Sequence, residues 1–246
     1  METNVVSDQG RPVDHAALLR QYFAQRRSRA ASFVGFPFVT ISRQAGAGGH
    51  TLAREIIREI QHTMPEDVST GWEVFDHKLC VMLAQDPELN VSFNGLLAEQ
   101  YRTEVTQFVY ELIAGETRQY NTYKKLFEII RGLATVGKVV IVGRGGNFLT
   151  KRMPLGVRIR LVASPETRTQ NMMQLLDINK EQAMAQMKEQ DRDRSHMIRD
   201  FFGKDIEDPL GYDCVINADA VSMQDAAALV AHMVKTKWDR YAKRHV

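Results

Sequence analysis

The 246-residue sequence predicts an α/β fold, a parallel five-stranded sheet with helices on both faces, in one main domain over residues 36–246. Three observations predict it. Five short β-rich apolar runs, at 37–42, 73–75, 138–142, 157–163 and 212–217, alternate with helical patterns. Continuous apolar runs such as Val139-Val140-Ile141-Val142 suit strands buried on both faces, and alternating strands and helices build right-handed βαβ units. The first run passes directly into a glycine-rich turn and a helix, Phe38-Val39-Thr40-Ile41-Ser42-Arg43-Gln44-Ala45-Gly46-Ala47-Gly48-Gly49-His50-Thr51-Leu52-Ala53.

Residues 1–35 precede this domain as a polar tail over 1–13 and an amphipathic helix. Asp14 is the expected N-cap, and Leu18, Leu19, Tyr22 and Phe23 share the face that docks on the main body. Arg20, Arg26, Arg27 and Arg29 make this segment basic, which fits either a solvated face or a contact with phosphates. The net charge of +2 lacks the basic excess of a nucleic-acid binder, so nucleic acid is not an expected partner.

The interval 87–137 is helical in pattern, with Phe108, Leu112 and Ile113 on one face and Leu126, Ile129, Ile130 and Leu133 on another. It is long enough for a separate helical cap over a site. Ser164 as N-cap and Pro165 at the first helical position open a further helix. The last helix spans 222–243, with Met223, Leu229, Val230, Met233 and Val234 as its apolar side. Cys80 and Cys214 lie in apolar stretches and read as buried free thiols in a reducing compartment. The N-terminus has no signal-peptide pattern and no stretch approaches the roughly 18 apolar residues of a membrane span, so the expected location is cytoplasmic, away from membranes.

The turn after the first strand carries the chemistry. Glycines let backbone N–H groups converge on an anion, and the following helix N-terminus adds unpaired donors and a positive dipole end. Against the phosphate-loop pattern G-x-x-x-x-G-K-[ST], Arg43 stands at the first glycine, Gly48 matches the second, Gly49 replaces lysine and His50 replaces the hydroxyl residue. Arg43 can supply the missing positive charge through a guanidinium fork, and Thr51 the missing hydroxyl. The alternative is a tight strand-to-helix turn without ligand.

Ile41-Ser42-Arg43-Gln44-Ala45-Gly46-Ala47-Gly48-Gly49 resembles the glycine turn of the cytidylate kinase-like family, a branch of the P-loop nucleoside monophosphate kinases, which reads close to I-S-R-Q-x-G-S-G-G. Four later segments are similar to that family in the same order: 75–78, 142–147, 161–168 and 191–217. Together they cover most of residues 38–220. The resemblance implies a P-loop kinase-like three-layer fold, a helical acceptor-binding region at 87–137 and a helical lid at 165–205. It also makes the absent lysine a family trait. The implied reaction moves the γ-phosphoryl of ATP, with Mg2+, to a nucleoside monophosphate, CMP or dCMP first. This sequence departs from the family at His50, where many members carry arginine.

On that resemblance, Gln44, Ala45, Gly46, Ala47, Gly48, Gly49, His50 and Thr51 hold the ATP phosphates, and Arg43, Arg192 and Arg194 stabilise the transferring charge. Asp76, Arg144, Arg168, Asp191 and Arg199 are the acceptor-side candidates. Arg144 follows a buried strand at the carboxyl edge where α/β sheets bind ligands, although a surface arginine fits the same position. Asp76 ends another strand, where a helix cap and a magnesium or substrate contact are equal readings. Residues 191–200 fit a lid with Arg192, His196 and Arg199 on one face and Asp191, Arg194 and Ser195 on another, or a surface helix laced with ion pairs. Asp213 is expected to fix a strand start. No protein metal ligands are assigned, because no H-x-x-x-H or Cys/His spacing occurs. Two rivals stay open: a nucleotide-binding regulatory module without catalysis, and a kinase of another small molecule.

Overall fold

The computed structural model describes residues 15–27, 35–97, 99–112 and 118–245. The polar start at 1–13, the cap Asp14, Arg29 and Ile113 lie outside these residues, as do the side chains of Leu18, Arg26 and Arg27. In chain order the elements are helix α1 (His15–Arg27), strand β1 (Phe38–Arg43), α2 (Gly49–Thr63), α3 (Glu66–Ser69), β2 (Glu73–Phe75), α4 (His77–Gln85) and α5 (Pro87–Asn94). Next come α6 (Glu99–Leu112), α7 (Arg118–Val136), β3 (Val139–Val142), α8 (Gly146–Leu149), β4 (Gly156–Val162), α9 (Pro165–Leu176), α10 (Lys180–Phe202), β5 (Cys214–Asn217) and α11 (Met223–His245).

The five strands form one sheet in the order β2-β3-β1-β4-β5, and every neighbouring pair is parallel. Side chains alternate across it as a period of two requires. Val39, Ile41, Val140, Val142, Val157, Ile159 and Leu161 face a core shared with Leu52, Ile56 and Ile60 of α2 and Val230 and Val234 of α11. Phe38, Val139 and Ile141 face the other core, with α1, α4, α5, α7 and α8. The result is the three-layer fold of the P-loop kinases. The direction of winding, not of the strands, changes at β1, since β3 and β2 lie on one side of it and β4 and β5 on the other. Ligands of parallel sheets bind at the carboxyl ends beside such a switch point.

Three expectations change in detail. The 87–137 interval is not walled off as a separate cap: Leu89, Phe93, Val109, Leu126, Phe127, Ile130 and Leu133 belong to the same core as Phe38 and Ile141. Its apolar faces are wide enough to form one layer of the sandwich. Strand β5 starts at Cys214 rather than at residue 212, because Asp213 spends its backbone N–H on the Arg158 carbonyl and its carboxylate on the Arg158 N–H and Lys237. That confirms Asp213 as the residue fixing the strand start. Cys80 is buried, but Cys214 is only partly covered because β5 is an edge strand.

Helix α1 docks as its pattern predicts. Leu19, Tyr22 and Phe23 are buried, Tyr22 meets Phe75 edge-on at 5.2 Å, and Phe23 packs on Phe93 at 6.1 Å. The Tyr22 hydroxyl donates to the Gly137 carbonyl at 3.2 Å. Phe23→Ala should therefore cost about 3–5 kcal/mol in urea unfolding, with one cooperative transition retained, if α1 folds together with the sheet. A loss under about 0.5 kcal/mol, the range of an ordinary surface change, would count against the docking.

Candidate active site

The glycine turn links β1 to α2 over residues 44–48. Gln44 fastens its entrance to β4: its N–H donates to the Leu161 carbonyl at 3.1 Å, and its side-chain oxygen accepts from the Ala163 N–H at 3.1 Å. The carbonyls of the next two residues are held outward. Arg168 on α9 donates to the Ala45 carbonyl at 3.3 Å, and Asn171, one turn on, donates to the Gly46 carbonyl at 2.8 Å. Gly46 has φ +77°, and a Cβ there would stand 2.4 Å from the Arg168 carbonyl oxygen, so only glycine fits this approach.

With the carbonyls turned away, the N–H groups face the other side. Those of Gly46, Gly48, Gly49, His50 and Thr51 make no hydrogen bond to another described residue, and Gly48 caps α2 without a side-chain partner. The first amides of α2 lack acceptors within their own helix. The turn and helix end therefore form a concave set of donors with positive dipole character, suited to phosphate oxygens.

Three guanidinium groups gather beside it. Arg43 ends β1 and runs past Gly49 to the β3 turn, where a Cβ on Gly143 would stand 2.1 Å from its terminal nitrogen. Burial, then the charges of Arg194 and Arg144, push Arg43 down to about 9. Arg144 follows β3 in a run of left-handed residues, Gly143 at φ +90°, Arg144 at +55° and Gly145 at +70°. A non-glycine residue in that region is strained and persists where its surroundings fix it. Burial lowers Arg144 as well, while Tyr123, Cys80 and Asp76 raise it. Among the described residues neither Arg43 nor Arg144 pairs with a carboxylate. Buried cations without a counter-ion are costly, and a bound polyanion is what would offset them.

Arg194 is the third. It projects from α10 and donates to the Arg43 carbonyl at 3.2 Å, to Asp191 at 3.3 Å and to Gln190 at 2.9 Å. Asp191 also accepts from the Ala45 N–H at 2.7 Å and from Arg168 at 2.5 Å. The helical phasing read from the sequence holds, so Arg192 and Arg199 lie on the other flank. Both are exposed, and Arg192 pairs with Asp193 at 3.5 Å. The structure thus brings Arg194, Arg168 and Asp191 to the turn and leaves Arg192 and Arg199 away from it.

On the β2 side, Asp76 caps α4 by accepting from the Leu79 N–H at 3.1 Å, and its second oxygen lies 3.2 Å from His50 Nε2. Burial alone would raise this carboxyl, but His50 and the α4 amides bring it down to about 2. His50 therefore ties the start of α2 to the β2 edge. Thr51 is exposed on the first turn of α2. No group of three or more His, Cys, Asp or Glu residues suited to a metal occurs among the described residues.

Sequence reasoning missed Asn171 and Arg160. Arg160, almost fully buried on β4, donates to the Ser42 hydroxyl at 2.9 Å and pairs with Glu207. Arg158 and Arg160 interrupt an apolar strand with a period of two, and that buried-polar anomaly was the available signal. Asn171 gives no such signal, since its partner is a backbone carbonyl 125 residues away.

Fold and turn together define a P-loop kinase-like protein. The model of the cytidylate kinase-like family matches residues 38–220, and the chain belongs to that family. No curated protein matches. Among solved structures, a protein of Eubacterium ventriosum is similar at TM-score 0.60 and 19% identity, over 81% of this chain and 98% of that one, which supports the fold. Shikimate kinase from Acinetobacter baumannii, in complex with shikimate, matches at TM-score 0.39 and 14% identity over 86% and 97%, too remote to carry an argument.

The arginine cluster makes a prediction about His77, the first residue of α4. Partial burial, then Arg144 and Arg43, hold its ring down at about 4, against the counter-effect of Asp76. Followed by NMR, His77 should titrate near 4 in the parent and closer to its ordinary value of 6.5 in Arg144→Ala. An unchanged titration in the variant would place Arg144 elsewhere.

Proposed function

We propose that the chain transfers the γ-phosphoryl group of Mg-ATP to a nucleoside monophosphate, CMP or dCMP first. The observation that carries this reading is the meeting of the unbonded amides of Gly46, Gly48, Gly49, His50 and Thr51 with the unpaired guanidinium groups of Arg43 and Arg144 at one sheet edge. Phosphoryl transfer needs positioned positive charge more than covalent chemistry, and these groups supply it. Membership of the cytidylate kinase-like family supports the choice of acceptor.

In this reading the turn amides bind the ATP phosphates, Arg43 and Arg194 stabilise the charge of the moving phosphoryl, and Arg144 holds the acceptor phosphate. Magnesium bound with the nucleotide would neutralise charge on the β- and γ-phosphates. Arg43 reaches across the place where the conserved lysine of other phosphate loops would project, since Gly49 contributes no side chain there and the Arg43 stem packs within 3.0 Å of where its Cβ would be. Asp76 fixes α4 and His50, while Arg192 and Arg199 approach phosphates only if the helix rotates. The chain's helices include none long and apolar enough to cross a membrane among the described residues.

The absent lysine favours one second reading, a nucleotide-binding regulatory module. ADP formation from Mg-ATP against CMP, dCMP, UMP, AMP and GMP separates the two. Acceptor-dependent turnover is expected, with kcat/KM lowered about 10- to 100-fold in Arg43→Ala and in Arg144→Ala, the scale of one lost charged hydrogen bond. Saturable ATP binding with no ADP under any nucleotide would select the regulatory module, or a non-nucleotide acceptor if turnover appears with other hydroxyl compounds.

A further inference from the structure

Three donors from three separate elements converge on Asp191. Oδ1 accepts the Ala45 N–H of the glycine turn and Arg194 of its own helix, and Oδ2 accepts Arg168 of α9. The Ala45 N–H and Arg168 lie where the turn meets α9, and Arg194 stands beside Arg43. Arg168 and Asn171 already draw the Ala45 and Gly46 carbonyls toward α9, so Asp191 completes a clamp on the back of the loop. The carboxylate is also the acidic neighbour of Arg194 in a cluster otherwise made of guanidinium groups. Like charges at this spacing would drive Arg194 outward into water without it.

We propose that Asp191 is a positioning residue that latches the α10 lid helix to the glycine turn, setting the shape of the phosphate loop and holding Arg194 over Arg43, rather than a contact of the acceptor. The carboxylate has two separable effects, both exerted through Oδ1. The Oδ1 contact with the Ala45 amide shapes the loop, for which a neutral acceptor is sufficient. The negative charge restrains Arg194, for which it is not. The rest of α10 agrees with a pinned helix. Ala183 and Met187 pack with Ala45 of the turn and Met172 of α9 at one end, and Phe201 and Phe202 join Tyr123, Phe127 and Phe148 at the other. Asp191 lies between these two anchors, at the point nearest the turn's backbone.

The inference rests on the phosphoryl-transfer reading for its catalytic part, but the latch itself is observable without nucleotide. The experiment compares the parent, Asp191→Asn and Asp191→Ala in three measurements: amide hydrogen exchange at Ala45 in the free protein, calorimetric ATP affinity and stoichiometry, and steady-state kinetics with CMP. In Asp191→Ala, Ala45 exchange should quicken and the ATP dissociation constant rise about tenfold or more at unchanged stoichiometry. Asp191→Asn should keep Ala45 protection and ATP affinity near the parent, with kcat per bound ATP lowered about tenfold or more. A merely structural role would lower stoichiometry and melting temperature in proportion and leave affinity and kcat per site alone, which overturns the proposal. So would equal loss of ATP affinity in both variants, or parental Ala45 exchange in Asp191→Ala. If the parent neither binds ATP nor turns over, the function proposed above fails, and the latch is judged by Ala45 exchange alone.

Discussion

The turn between β1 and α2 can receive an anion only because its carbonyl oxygens are held elsewhere. A short loop of six or seven peptide units carries as many acceptors as donors, and without an external pull both would line its concave side. Here Arg168 and Asn171 on α9 take the Ala45 and Gly46 carbonyls, and Gln44 hooks onto the end of β4. The inner side is left to N–H groups. Every other feature of the site depends on that sorting, because the positive ends of the peptide dipoles then act in the same direction as the N-terminus of α2.

The sheet order gives the sorting its geometry. With β1 central, β3 and β4 flank it, so Arg144 arrives from one side and the α9 donors from the other. Their different surroundings divide the arginines by role. Arg158, Arg160 and Arg168 have carboxylate partners and carry structure, linking β4, β1 and α9. Arg43 and Arg144 are largely covered by protein but keep no carboxylate, and Arg43 is displaced to about 9 as a result. A charge kept unpaired at a cost in stability is a recurrent property of groups that meet a ligand of opposite sign.

Helix α10 joins the two halves. It is a continuous 23-residue helix seated between apolar contacts to α9 and an aromatic cluster on α7 and α8. Its polar contact with the turn passes through Asp191. Motion of this helix would break or make the bonds to Ala45 and Arg168 at the same time, so the position of α10 and the shape of the loop are joined through one carboxylate.

The sequence by itself determined the fold and the place of the candidate site. Apolar runs of three to seven residues located all five strands to within a residue or two, Ser164 and Pro165 opened α9 where their chemistry requires, and the glycine turn marked the candidate site. These are local signals: periodicity, capping chemistry and glycine's access to positive φ act through neighbours in the chain. Only the tertiary structure decided which charged residues belong together. Helical spacing gave the two faces of α10 correctly but was silent on which one meets the turn. The burial of Arg160, the left-handed backbone of Arg144 and the 146-residue reach from Asp191 to the Ala45 amide likewise arise from how β4, α9 and α10 pack around β1. Charges interact through space over several ångströms without regard to sequence distance, so their pairing is fixed when the chain folds and not before.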